Sequence, residues 1–183
     1  MNLNQESNEM GKRSDFERVE RDFYPTPREA VVPLLPHLDA GTRFVEPCAG
    51  NGALIDHLVA AGHVCARAWD IEPQRDDIDR HDALTRLVGN VDCFITNPPW
   101  KRETLHALIV HLSDQHPTWL LFDADWIHTR QAVPYLSRLR RVVSVGRVKW
   151  IPGSKFTGKD NCAWHLFDRP AAGAAALYGR LAA

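Results

Sequence analysis

Short apolar runs alternate along the chain with segments whose apolar residues recur at the spacing of an amphipathic helix. The runs that end at polar or turn-forming residues predict strands at 42–46, 64–71, 91–96 and 118–123. Helical spacing predicts helices at 28–37, 53–61, 103–112 and 129–139. Thr26 and Pro27 are expected to cap and begin the first of these helices. Because strands and helices alternate, the pattern favours a mostly parallel sheet covered by helices.

The last part of the chain departs from this alternation. Residues 141–151 and 162–167 form two strand-like runs, and only the short segment PGSKFTGKD joins them. Such a pair predicts an antiparallel hairpin, and the alanine-rich residues after Pro170 are expected to form a short helix. The expected fold class is therefore α/β, with a seven-stranded, mostly parallel sheet, an antiparallel C-terminal hairpin and helices on both faces.

A polar, charged segment opens the chain, and residues 1–21 are expected to form a flexible arm. Residues 22–183 are expected to form a single domain with its own core. The first residues lack the apolar segment of a secretory signal, and no apolar run approaches the roughly 18 residues that cross a membrane. The four cysteines show no CxxC or Cys/His ligand spacing, so we expect reduced thiols in a cytoplasm and no metal site.

Composition adds an asymmetry of charge to this picture. Hydrophobic residues make up 44% of the 183 residues and charged residues 25%, as in an ordinary globular domain. Residues 1–100 contain 10 Lys/Arg and 17 Asp/Glu, whereas residues 101–183 contain 12 and 6, so the net charge of −1 is unevenly spread. A polyanion would be attracted to the second half, although solvated surface charges are the simpler alternative.

The segment EPCAGNGAL follows the first expected strand and opens a helix. Gly50 and Gly52 allow positive φ angles and a close approach of the backbone to a ligand, although an ordinary strand-to-helix turn would use them too. The full G-x-G-x-x-G spacing is absent, and Glu46 would repel a pyrophosphate. The segment therefore disfavours NAD and FAD and favours a ligand with a cationic amino-acid end.

Two further carboxylates are expected at the same edge of the sheet, where parallel α/β sheets bind their ligands. Asp70 ends the second expected strand and can accept hydrogen bonds from a ribose diol, with Glu72 as the competing residue. Asp82 follows near the expected end of a third strand, where the alternative interpretation is a helix cap.

The segment ITNPPW ends the strand expected at 91–96 in a stiff turn. Neither Pro98 nor Pro99 can donate a backbone N–H, and each restricts the residue before it to extended conformations. In such a turn the Asn97 carboxamide and the Pro98 carbonyl can point the same way, as two fixed acceptors beside the ring of Trp100. This arrangement suits a flat base that carries an exocyclic amino group.

Together these motifs resemble those of class I S-adenosylmethionine-dependent amino-methyltransferases, of the group that modifies adenine N6 in DNA. The order YPTP, glycine turn and NPPW is similar to that of the gamma-type enzymes, and the likeness extends over residues 22–100 by motif and to about residue 168 by strand pattern. The late segment GSKFTGKDNCAW is similar to small phage- and prophage-encoded members. The resemblance implies a Rossmann-like fold, S-adenosylmethionine as cofactor, DNA as partner and the cytoplasm of a bacterium or phage-infected host.

The resemblance also implies residue roles. Ala49 and Gly50 would line the sulfonium, Glu46 would face the ammonium group, Asp70 the ribose hydroxyls and Asp82 the adenine amino group. Phe23, Tyr24 and Thr26, in and beside the YPTP motif, would contact the methionine end of the cofactor. The implied cofactor-binding residues are Phe23, Tyr24, Thr26, Glu46, Ala49, Gly50, Gly52, Asp70, Ile71, Asp82, Ala83 and Asn97.

The implied catalytic segment is Asn97, Pro98, Pro99 and Trp100, with Trp100 stacked on a target base that has been flipped out of any duplex. Phe156 could stack from the other side or pack on the sheet. The expected substrate-binding residues are Trp100, Lys101, Arg102, Arg147, Lys149, Lys155, Phe156 and Lys159. Arg147, Lys149, Lys155 and Lys159 are expected to contact phosphate, with an ordinary solvated side chain as the alternative.

The NPPW motif identifies the reacting group, a planar NH2, better than the molecule that carries it. Methyltransferases that act on RNA, at adenine N6 or guanine N2, or on a protein glutamine share the same pair of acceptors. N4-cytosine enzymes usually carry Ser at the position of Asn97, which disfavours cytosine. An inert nucleic-acid-binding module is a further alternative. Only 83 residues follow NPPW, so no separate target-recognition domain is expected.

Overall fold

A computed structural model describes residues 24–151, 153, 155 and 157–180. The strands are β1 (Arg43–Glu46), β2 (Val64–Asp70), β3 (Asp79–Arg80), β4 (Cys93–Thr96), β5 (Thr118–Asp123), β6 (Leu139–Gly146), β7 (Cys162–Phe167) and β8 (Ala176–Tyr178). The α-helices are α1 (Arg28–Val31), α2 (Ala53–Ala60) and α3 (Arg102–Ser113). Segments of 3-10 helix cover Val32–His37, Ala124–His128 and Arg130–Arg138. None of the described helices is both long enough and apolar enough to cross a bilayer.

All eight strands join one sheet in the order β3-β2-β1-β4-β5-β7-β6-β8. The pairs β1–β2, β1–β4, β2–β3, β4–β5 and β6–β8 are parallel, and both partners of β7 are antiparallel to it. Strand β7 therefore runs against the other seven. The carboxyl ends of β1, β2, β4, β5 and β6 meet at one edge of the sheet, which we call the site edge.

Hydrophobic clusters cover both faces of the sheet. On one face α1, the 3-10 helix after it and α2 pack their apolar residues, including Leu34 and Leu58, against Phe44 of β1 and Ile95 of β4. On the other face α3 packs with the 3-10 segments that follow β5. Consecutive strand residues point to opposite faces, so every residue of β4 is buried, as expected for a strand covered on both sides.

The predicted α/β class, the helices on both faces and the antiparallel C-terminal pair are confirmed. The sheet of the described residues has eight strands instead of seven because the alanine-rich tail forms β8. The predicted C-terminal helix is therefore wrong: the tail pairs with the free side of β6.

Three local predictions also need correction. The expected capping of the first helix by Thr26 is wrong, because the helix begins after Pro27 and no side chain caps it. Prolines at 33 and 36 remove backbone donors, so the expected single helix continues as a 3-10 turn at Val32–His37. The strand expected at 141–151 ends at Gly146, whose φ of 89° turns the chain away from the sheet.

Candidate functional site

A glycine turn connects β1 to α2 at the site edge. Gly50 and Gly52 have φ angles of 52° and 76°, which favour glycine. The backbone N–H of Gly52 donates to the Ala49 carbonyl (2.7 Å), and that of Ala53 donates to Asn51 Oδ1 (3.1 Å). The first amides of the helix are thus partly used within the turn.

Asp70, at the end of β2, bonds directly to the glycine turn. Its Oδ2 accepts the N–H of Gly50 (2.8 Å), and its Oδ1 accepts the N–H of Glu72 (2.7 Å). Each carboxylate oxygen can accept a second hydrogen bond, so a ligand hydroxyl can still be bound. Asp70 therefore combines a structural role with free acceptor capacity.

Glu46, the last residue of β1, is the most unusual ionisable group at this edge. Its side chain is 2% exposed, and its Oε2 has no hydrogen-bond partner among the described residues. Burial raises its pKa well above the ordinary value, and the neighbouring negative charge of Asp70 raises it further. A buried carboxyl oxygen without a partner is unfavourable, and a bound donor or cation would satisfy it.

The third carboxylate, Asp82, lies in the turn after β3. Its Oδ1 accepts the N–H of Leu84 (2.9 Å), and the neighbouring Ala83 is buried at 8% exposure. This bond belongs to a turn, and no helix begins beside Asp82 among the described residues, so the helix cap that the sequence left open is not seen. Asp82 also lines the same cleft as Asp70.

Asn97 follows β4 on the opposite wall of the cleft. Its Nδ2 donates to the carbonyl of Tyr24 (3.4 Å), a long bond that turns Oδ1 away from that carbonyl. Pro98 is buried, whereas Pro99 lines the cleft. The N-terminal end of the described chain therefore contacts the segment that carries the two expected acceptors.

These elements enclose one cleft of about 200 Å³. Ten of the predicted cofactor-binding residues line it, namely Tyr24, Thr26, Glu46, Ala49, Gly50, Asp70, Ile71, Asp82, Ala83 and Asn97. Phe23 lies outside the described residues. Cys48 also lines the cleft, and burial raises the pKa of its thiol strongly, so it stays protonated. Among the described residues, no group of three His, Cys, Asp or Glu side chains could hold a metal ion.

Gly52 is not among the lining residues, although the sequence suggested that a ligand would approach it. The guanidinium of Arg75 lies beside Gly52, and a Cβ built on this glycine would overlap it. The missing side chain at position 52 therefore makes room for a residue of the protein itself.

Trp100 does not line the cleft either. It is half-buried between the two hydrophobic clusters, and its Nε1 donates to the Leu121 carbonyl (3.2 Å). Trp150, for which the sequence predicted no role, packs edge-on against Trp100 (6.0 Å between ring centroids) and lies 6.4 Å from the ring of Tyr24. The sequence signal for Trp150 was weak, because its partners lie about 50 and 125 residues away in the chain.

The predicted cations lie on the surface. The Lys101 ammonium is 3.6 Å from Glu103, and Arg102 donates to Gln131 Oε1 (2.8 Å). Phe156 lies outside the described residues. The remaining predicted cations, exposed on the segment after β6, are Arg147, Lys149, Lys155 and Lys159. Because β6 ends at the site edge, this basic segment begins at the same edge as the cleft.

No protein-family model matches the chain, and no curated protein matches its sequence. Solved structures do match, with 89 similar chains. A Pyrococcus horikoshii protein, provisionally described as an RNA methyltransferase, superposes with a TM-score of 0.59 and 14% identity over 87% of this chain and 94% of its own. A Listeria monocytogenes protein, provisionally described as a class I S-adenosylmethionine-dependent methyltransferase, gives 0.57 and 12% over 91% and 68%.

A third similar structure is the modification subunit of a protein from Vibrio vulnificus, provisionally described as a type I restriction enzyme. It has a TM-score of 0.52 and 14% identity over 86% of this chain and 47% of its own. At such identities the similarity establishes the fold alone. The chain has the Rossmann-like α/β fold of class I S-adenosylmethionine-dependent methyltransferases.

Proposed function

We propose that this protein transfers a methyl group from S-adenosylmethionine to an exocyclic amino group of a nucleic-acid base, with adenine N6 in DNA as the preferred target. One observation carries the proposal. Asn97, in an NPPW segment, shares a single cleft with the glycine turn, with Asp70 and with Asp82. An amide acceptor and a set of acids suited to a nucleoside with a cationic end therefore face each other across one space.

The residues of the cleft fit this cofactor by their chemistry. The unpartnered oxygen of buried Glu46 accepts the ammonium group, which is the donor it lacks in the free protein. Asp70 accepts the ribose hydroxyls with the lone pairs that Gly50 and Glu72 leave unused. Asp82 accepts the adenine amino group. When bound, the cofactor supplies an electrophilic methyl group on a sulfonium.

The amine of the target base is a poor nucleophile because its lone pair is delocalised into the ring. Asn97 Oδ1 and the Pro98 carbonyl each accept one N–H of this amine, which draws the nitrogen towards tetrahedral geometry. The bond from Asn97 Nδ2 to Tyr24 holds the carboxamide in the required orientation. Catalysis then consists of positioning and electrostatic stabilisation, and the extra proton of the methylated amine passes to water.

The flipped base needs an aromatic surface, and Trp150 and Trp100 together provide one beside Tyr24. Trp100 is anchored by its indole bond to Leu121 and packs against both hydrophobic clusters, so we assign the stacking face to Trp150. Phosphate contacts come from the exposed cations of the segment after β6 and from Lys101.

RNA is the second candidate substrate. The similar Pyrococcus horikoshii structure is provisionally described as an RNA methyltransferase. The bases of RNA also carry the same exocyclic amino groups as those of DNA. The similar Vibrio vulnificus structure, a modification subunit of a restriction enzyme, and the phage-like late segment favour DNA.

The decisive experiment supplies S-adenosylmethionine with a radiolabelled methyl group and offers duplex DNA, single-stranded RNA and ribosomal protein in parallel. Label should enter DNA fastest and be recovered as N6-methyladenine. In Asn97→Ala the transfer rate should fall at least ~100-fold while cofactor affinity stays nearly unchanged, because the acceptor acts mainly in the transition state.

Label in RNA alone or in protein alone would identify that polymer, instead of DNA, as the substrate. Cofactor binding without transfer to any polymer would identify an inert module. Full activity in Asn97→Ala would refute the mechanism and leave Asn97 with a structural role.

A further inference from the structure

Arg75 lies in the loop between β2 and β3 and contacts the glycine turn from outside the cleft. Its guanidinium occupies the space that a Cβ at Gly52 would need. It does not line the cleft among the described residues. No feature of the sequence motifs assigned a role to this residue.

Two carboxylates hold the guanidinium over the turn. One is Asp56 in the first turn of α2, whose two oxygens accept from Arg75 Nη1 at 2.9 and 3.0 Å. The other is Asp77 in the same loop as Arg75, which accepts from Nε at 2.6 Å. The arginine side chain is 31% exposed, so most of it is withdrawn from solvent. These hydrogen bonds use the planar, fixed donor geometry of a guanidinium, which a lysine cannot reproduce.

The same loop holds the turn at a second point. The N–H of Gln74 donates to the Gly50 carbonyl (2.9 Å), and the N–H of Gly50 donates to Asp70. The glycine turn is therefore held by the backbone bond from Gln74, by the Asp70 carboxylate and by the contact with Arg75. Glycines with positive φ have the largest conformational freedom to lose, so such a turn needs external restraint.

We propose that Arg75 is a positioning residue of the cofactor site, which holds the glycine turn in its binding conformation by linking Gly52, α2 and the β2–β3 loop. This inference rests on the proposed function for the identity of the ligand. Without the link, the turn samples other conformations before binding, and the ligand must order it at a cost in affinity. The chemistry at Asn97 is untouched, so the effect is confined to cofactor binding.

The test measures S-adenosylmethionine affinity by calorimetry and methyl transfer at saturating cofactor in Arg75→Ala. The dissociation constant should rise about 5- to 10-fold, a modest effect because the ion pairs are partly exposed, while the maximal rate stays at the wild-type value. The matched control is Arg138→Ala, which removes an Arg–Asp pair with Asp114 (2.7 Å) at the opposite edge of the sheet. It should leave cofactor affinity unchanged.

Amide hydrogen exchange of residues 49–53 in the ligand-free protein provides a readout that needs no cofactor. Exchange in this segment should be about 5-fold faster in Arg75→Ala than in the wild type and in the Arg138→Ala control. If the wild type fails to bind S-adenosylmethionine but the exchange difference is found, the proposed function fails and the positioning role stands.

Unchanged affinity together with unchanged exchange in Arg75→Ala overturns the inference. Should Arg75→Ala not fold, Arg75→Lys provides the same test, because lysine keeps the positive charge but lacks the planar guanidinium donors. Its affinity and exchange should lie between those of the wild type and the values expected for the alanine variant. Wild-type values in Arg75→Lys overturn the inference.

Discussion

At the scale of single residues, Glu46 stands out because it is buried, ionisable and without a partner for one of its oxygens. The charged groups around it are Asp70, Asp56 and Arg75, of which only Arg75 favours its ionised form. In the free protein Glu46 therefore keeps its proton above its ordinary pKa of 4.5. A ligand that brings a cation into the cleft reverses this preference.

Binding of a ligand with an ammonium group should therefore release a proton from Glu46. We expect net proton release on cofactor binding at pH values below the raised pKa of Glu46, and affinity that rises with pH until Glu46 ionises in the free protein. Calorimetry in two buffers with different ionisation enthalpies measures the proton count. In Glu46→Gln the count should fall to near zero, and a wild type that binds without releasing protons at any pH would contradict this account.

The same pKa shift sets the pH dependence of stability in the ligand-free protein. Because the pKa of Glu46 is raised on folding, its contribution to stability is full below the unfolded value of 4.5 and is lost as pH rises through the folded pKa. Stability of the free protein should therefore decline with rising pH in that window, and less so in Glu46→Gln.

About half of the residues that line the cleft could be predicted from the sequence, for a physical reason. Asp70 and Asn97 each end a strand of a parallel sheet, and the carboxyl ends of such strands converge. Trp150 could not be found in this way, because its role depends on contacts with Tyr24 and Trp100 that only the folded chain creates. The role of Arg75 likewise depends on contacts with Gly52 and Asp56 that only the folded chain creates.

At the scale of elements, the segment between β6 and β7 is anchored to the rest of the molecule at its beginning. The N–H of Lys149 donates to Glu29 of α1 (2.8 Å), and Gly158 packs on Trp150 with its N–H bonded to the Val148 carbonyl (2.8 Å). A Cβ at Gly158 would lie 3.2 Å from the Trp150 ring. The glycine therefore allows the segment to fold back on the tryptophan.

A side chain at position 158 should displace Trp150 and weaken substrate binding. In Gly158→Val we expect the KM for nucleic acid to rise about 10-fold with unchanged cofactor affinity, in line with the ~1–3 kcal/mol that an aromatic stack on a base provides. The control is Gly89→Val, since a Cβ at Gly89 meets nothing within 4 Å. Equal KM values in the two variants would show that the tryptophan does not contact the substrate.

The elements differ in how well the sequence predicts them. Strands β5 and β7 match their expected bounds because compact apolar runs with clear polar borders define them. The structure differs from the predicted helices at two places, Val32–His37 and Ala176–Tyr178. In the first, proline overrides helical spacing. In the second, an intrinsically helical composition becomes a strand because β6 offers unpaired backbone groups, which is a tertiary effect.

At the scale of the whole molecule, the site edge brings together the cofactor cleft, the NPPW segment and the basic segment after β6. The described part of the chain forms one sheet with its helices, so under the proposed function we expect base readout from residues around 100–102 and from the short segment between β6 and β7. Such loops reach few base edges, and each good bidentate contact provides about 1–3 kcal/mol of discrimination.

We therefore expect methylation in a short or relaxed sequence context of roughly two to four bases, with binding that weakens steeply as salt rises because phosphate contacts dominate it. Sequencing that detects N6-methyladenine in DNA from cells that express the protein measures the context. Titration of binding at several salt concentrations measures the second property. A unique site of six or more bases would require a partner subunit for readout.

The direction of β8 has a practical consequence for handling the protein. Because β8 runs parallel to β6, the chain after Tyr178 arrives at the site edge, where the Arg180 guanidinium packs against Gly146. The first described residue, Tyr24, lies at the same edge beside Trp150. An affinity tag or a surface linker attached directly before Tyr24 would therefore emerge next to the cleft, and one attached directly after Arg180 would emerge at the same edge of the sheet. Immobilisation through an exposed side chain on the far edge, such as Asp39 before β1, would leave the cleft open to long polymers.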